Sequence, residues 1–167
     1  MNYKKIIWYA LLGLFTAIAM AMSYIEILMP IPLPVPGIKV GFPNIIILFV
    51  LYRIGSKAAV AVSLVRVVLV SLLFSGLLGM AYSLAGAILS LLVMIILKKT
   101  DLFSTLGVSV VGGIFHNAGQ IIIACILMST AEISYYMPVL IITGTISGIL
   151  VGIAAHLLIK KTEKFKF

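Results

Sequence analysis

Acidic residues are nearly missing from this 167-residue chain, which has four in all and a single aspartate, Asp101. That scarcity argues against chemistry built on clustered carboxylates, including Mg²⁺ held between aspartates. There is one cysteine, Cys125, so no disulfide framework and no paired-thiolate metal site exists. Charged residues make up only 10%, where a soluble domain carries roughly a quarter. Such a chain could not cover its own surface in water. What fills the sequence instead is hydrocarbon: 63% hydrophobic residues and a mean hydropathy of +1.32. The composition therefore predicts an all-α integral membrane protein forming a single transmembrane domain over residues 1–167, embedded in a lipid bilayer.

The net charge of +8 would suit nucleic acid, but its distribution does not. Ten of the twelve basic residues lie at the termini or in short gaps between apolar runs: Lys4, Lys5, Arg53, Lys57, Lys98, Lys99, Lys160, Lys161, Lys164 and Lys166. Cationic loops of this kind stay cytoplasmic and set orientation. No nucleic-acid partner is expected.

Apolar runs predict spans at about 6–28, 44–53, 58–74, 80–97, 105–128 and 137–159, a six-helix transmembrane bundle. Lys4 and Lys5 ahead of Ala19-Met20-Ala21 could also read as a signal peptide. The apolar stretch outruns the usual h-region of about 7–15 residues, so it reads as a span. Between the first two spans, "MPIPLPVPGIKVGFPN" holds five prolines from Pro30 to Pro43, which forces an extended loop. The second apolar run is too short to cross alone, which predicts that this loop re-enters the protein and walls a cavity. With Glu26, Lys39, Glu132 and the Gly76–Gly79 turn on the opposite side, both termini should be cytoplasmic in a plasma-membrane protein.

Two rows of small residues four apart mark close helix approach. Gly144, Gly148 and Gly152 should pack internally, whereas Gly13, Ala17 and Ala21 could pack internally or meet another protein. Against this background a few residues are out of place. Arg66 lies about 13 Å up its helix from Lys57, near mid-membrane, and must face the bundle interior or a wet cavity. His116, Asn117 and Gln120 in "FHNAGQ" share one helical face. They read either as interhelical glue or, as favoured here, as the wall of a mostly apolar ligand cavity shared with Arg66 and the proline loop. On that reading Asn117→Leu and Gln120→Leu would abolish ligand binding and spare stability. A haem shared by His116 and His156 fails on depth, and no HExxH or nucleophile–base pair is present. Catalysis, cofactors and metals are not expected.

The loop, "GIKVGFPNIIILFVLYRIG", the lone Arg66 and "FHNAGQ" together resemble the Gx transporter family, also labelled heptaprenyl diphosphate synthase component I. The likeness extends over nearly the whole chain. That family is in turn similar to the S components of energy-coupling factor (ECF) importers, six-helix solute binders that work with a transmembrane T component and two ATPases. The resemblance implies a pocket beneath the first loop, with Lys39, Gly41, Asn44, Arg66, His116, Asn117 and Gln120 as ligand-binding residues. It also implies that Gly13, Ala17 and Ala21 meet the T component. A cofactor-like, isoprenoid or quinone-related solute would fit. The competing implication is a non-catalytic membrane accessory of polyprenyl diphosphate or quinone synthesis, or of flavin- and quinone-based electron transfer.

Overall fold

The computed structural model describes residues 3–28 and 41–165, and these are helical with no strand. Lys39 and most of the proline loop lie outside the described residues. Six α-helices follow one another: α1 (Tyr3–Leu28), α2 (Phe42–Arg53), α3 (Ser56–Val70), α4 (Gly76–Thr100), α5 (Thr105–Met128) and α6 (Met137–Lys161). They fall within a few residues of the predicted spans. Four unbroken helical stretches are long and apolar enough to cross a membrane: Tyr3–Leu28, Ser56–Thr100, Thr105–Met128 and Glu132–Lys161. The chain thus has the character of an integral membrane protein.

The stretch Ser56–Thr100 is not one rod. Its 45 residues would rise about 67 Å if straight. Yet Lys98, near its end, donates to the Leu51 carbonyl at 2.6 Å, just before its start. The chain must therefore double back. It does so through a widened π-helical turn at Ser71–Ser75 and the backbone of Gly76, whose φ of 69° and ψ of −178° break the helix. The predicted Gly76–Gly79 loop is thus compressed to one glycine, and α4 begins there. A positive φ is cheap only without a side chain, which explains the residue.

Contacts at the two ends fix the directions of the other helices. Glu26 near the end of α1 accepts a hydrogen bond from the Gly41 amide at the start of α2. At the opposite end Arg53 donates to the Thr162 and Phe165 carbonyls beyond α6. There too Tyr52 hydrogen-bonds Thr105 at the start of α5 and lies under the Lys98 ammonium, 5.1 Å from its ring centre. The basic residues Arg53 and Lys98 therefore also supply donors to helix C-termini, in addition to marking orientation.

The middle of α2 is buried on all sides, from Ile46 through Leu51. A helix apolar all round belongs in a core, and this one packs against α1, α3 and α6. Helices α4, α5 and α6 form a second group, joined along glycines. A Cβ on Gly148 would meet the Val110 Cα at 2.6 Å, and one on Gly113 would meet the Gly144 carbonyl oxygen at 2.5 Å. The predicted internal role of Gly144, Gly148 and Gly152 agrees with this seam. The row on α1 differs: Gly13, Ala17 and Ala21 are all exposed, and a Cβ on Gly13 would touch nothing within 4 Å.

This contrast sets a stability test. Gly148→Val should abolish monodisperse protein in detergent because both clashing groups are backbone. Gly13→Ala should leave the thermal unfolding midpoint unchanged or raise it slightly, since alanine favours helix by about 1 kcal/mol. Size-exclusion profiles and melting curves of the two variants check both.

Candidate functional site

Short α2 starts well inside the bundle, and around its first residues a cavity opens between the two helix groups. Counted together with the open solvent at its mouth, the space comes to about 710 Å³. From α1 it takes Ser23 and Glu26, and from the start of α2 it takes Gly41, Pro43 and Asn44. Arg66 enters from α3, with Ser71 and Ser75 from the π-helical turn. Ser83 on α4, then His116, Asn117 and Gln120 on α5, and Ser147 on α6 complete the polar lining. Six of the seven residues predicted to bind ligand thus share one cavity. The seventh, Lys39, lies outside the described residues.

Arg66 is 8% exposed and sits where lipid cannot reach it. One terminal nitrogen, Nη1, donates at a long 3.4 Å to the Ser23 hydroxyl, which itself donates to the Ala19 carbonyl at 2.9 Å. Nε has no hydrogen-bond partner among the described residues. The Glu26 carboxylate lies close enough to act on the guanidinium electrostatically. A buried guanidinium with so few partners is costly to hold, and an anionic or acceptor-rich group in the cavity would offset that cost.

The three residues of the α5 cluster divide into different jobs. Asn117 donates from Nδ2 to the Leu140 carbonyl on α6 at 2.8 Å and packs against Gly144. It is helix glue as well as cavity wall. His116 packs on Gly86 of α4, where an added Cβ would meet its ring at 2.9 Å. Gln120 faces the cavity with no hydrogen bond to any described residue, and the Asn44 side chain does the same. The geometry therefore separates the cluster: Asn117 bonds across to α6, while Gln120 faces the cavity.

One expectation needs correction. The wall is mainly polar rather than mostly apolar, because five serines and Glu26 join the predicted residues. Sequence reasoning missed them. Serine is small and nearly neutral in hydropathy, so it vanishes within apolar windows. Glu26 was read only as a marker of the non-basic side. Their weak signal was spacing: Ser71 and Ser75 lie four apart, and Ser23 stands one turn before Glu26 and Ile27.

The family model for heptaprenyl diphosphate synthase component I matches residues 15–158, a range that takes in every described wall of the cavity. The chain belongs to that family. No curated protein and no solved structure matches it. The family description names a component, which implies a place in an assembly of more than one subunit. Among the described residues no group of three or more His, Cys, Asp or Glu side chains could hold a metal ion.

The division of labour revises the expected mutant behaviour. Asn117→Leu should lower stability, by about 1–2 kcal/mol, because it removes an interhelical hydrogen bond and adds bulk against Gly144. Gln120→Leu should leave the unfolding midpoint near wild type. Melting curves in detergent distinguish the pair, and equal losses would mean that Gln120 also holds helices together.

Proposed function

We propose that this chain is the membrane substrate-binding subunit of an ATP-driven importer of the ECF type. The observation that carries the proposal is the polar cavity, built around a buried arginine at the end of the bundle away from the basic residues. By the positive-inside rule the basic end faces the cytoplasm, so the cavity faces outward. The chain then crosses the plasma membrane six times with both termini inside. A small cofactor-like solute would bind from outside, anchored at Arg66 and read by Asn44, His116 and Gln120. The polar wall suits a hydrophilic solute better than a prenyl tail. This subunit performs no bond chemistry itself; a T component driven by two ATPases would reorient it and release the solute inside.

The exposed row of Gly13, Ala17 and Ala21 supports a docking role for α1. Lipid-embedded helices associate where small residues let backbones approach, and this row is uncovered. The family description favours a second reading, a non-catalytic accessory of polyprenyl diphosphate synthesis. A flavin- or quinone-linked redox complex is the remaining variant of that reading.

Co-expression with a T component and its ATPases should yield a stable complex. Ala17→Leu should abolish that complex while the isolated protein stays monodisperse. Mass spectrometry of the gently purified protein should show a bound polar small molecule that Gln120→Leu loses. Recovery of a soluble prenyltransferase or a flavoprotein, with no ATPases, would overturn the importer reading in favour of the second.

A further inference from the structure

Beneath the cavity lies a second, smaller space that the proposed role does not use. It lies between α2, α4, α5 and α6, with room for about one or two waters and with Leu48, Ser90, Met94, Ser109 and Val151 among its walls. Asn44, Gly113 and Ser147 line both spaces, so the two meet there.

Of the three hydroxyls lining this lower space, Ser147 donates to the Gly144 carbonyl of its own helix at 3.2 Å, and Ser90 and Ser109 do not follow it. Thr16, Ser23 and Thr145 each donate to the carbonyl four residues back, the usual refuge of a hydroxyl inside a helix. Ser90 and Ser109 are each 4% exposed, yet neither hydroxyl bonds to any described residue. Both turn into the space instead. Buried hydroxyls demand partners, and a cavity offering several polar groups in reach of one another holds water rather than staying empty. Asn44, standing where the spaces join, likewise leaves its amide unbonded to any described residue.

Placement along α5 shows how far this polar lining extends. From Gln120 to Ser109 is eleven residues, about 16 Å of helix, and only about 6 Å more separates Ser109 from the start of α5 at the basic end. Beyond it Leu51, Val108 and Ala155, with no exposed surface, close the bundle.

We propose that the lower space is a hydrated inner chamber of the binding site, entered past Asn44. It takes about one or two waters or, in their place, the hydroxyl- or carbonyl-bearing end of a small polar solute whose other end lies at Arg66. The chain thereby carries a polar path open at one end and sealed by an apolar layer at the other. This inference rests on the upper cavity being a solute site, and not on which proteins assemble with the chain.

Silver ion, small enough to follow water and reactive with thiols, is the probe. In a Cys125→Ser background, Ser90→Cys and Ser109→Cys would be treated with Ag⁺ in detergent, then denatured and counted for remaining thiols with a maleimide. Ser75→Cys reports on the upper cavity, and Val108→Cys reports on closed core. The expected result is fast reaction at Ser75→Cys, slower but complete reaction at Ser90→Cys and Ser109→Cys, and none at Val108→Cys. Adding Asn44→Leu should slow the two lower sites at least tenfold and leave Ser75→Cys unchanged. Lower sites as inert as Val108→Cys, beside a reactive Ser75→Cys, would overturn the chamber alone. Inertness at Ser75→Cys as well would overturn the cavity reading with it. Lower-site reaction indifferent to Asn44→Leu would overturn entry past Asn44. Two isosteric positions guard against one variant misfolding, which size-exclusion chromatography reports.

Discussion

The architecture depends on one helix being too short. Twelve residues of α2 rise about 18 Å, well under the roughly 30 Å of a hydrocarbon core. Because residues 46–51 are apolar on every side, the helix is drawn wholly into the bundle. Its last turn is held at the basic end, where Lys98 reaches the Leu51 carbonyl and Arg53 ties down the residues after α6. Its first turn must then end part-way along the bundle. The space it leaves is where the polar side chains of α1, α3, α4, α5 and α6 converge. Gly41 and Asn44 are cavity residues because they begin this helix.

That geometry accounts for Arg66. Its helix starts at the basic end and rises past α2, so the guanidinium arrives at the level where α2 stops. Exposure of 8% and a long bond to Ser23 leave it neither in lipid nor fully partnered by protein. A charge at such depth is retained where it faces a cavity or other polar groups, and here it faces both, with Glu26 beside it.

Much of this was legible in the sequence because the strongest signals were periodic or anomalous. Apolar runs bounded by Lys98–Lys99 or Lys160–Lys161 placed helix ends within a few residues. The lone Arg66, and the polar triplet of His116, Asn117 and Gln120, stood out against hydrocarbon. What stayed hidden was of two kinds. Serines carry too little hydropathy to interrupt a span, so five of the eleven polar residues in the cavity wall were invisible. The turn between α3 and α4 was read as a four-residue glycine loop, because helix continuing directly from Gly76 has no distinct composition. Which way a side chain turns was also out of reach: Asn117 and Gln120 share a face, yet only Asn117 finds a carbonyl on α6.

The last constraint concerns why glue and site coexist on one helix. Helices α4, α5 and α6 approach so closely that several glycines admit no added atom, so their backbones form a fixed unit. On such a unit a polar side chain aimed at the neighbouring helix meets a carbonyl at hydrogen-bond distance, as Asn117 does. A side chain rotated by less than one turn toward the gap beside α2 and α3 meets space, as Gln120 does. The first lowers the energy of the folded chain, while the second keeps its hydrogen-bonding capacity for whatever enters. Rigid packing on one side of α5 is thus what makes precise placement of unspent polar groups on its other side possible.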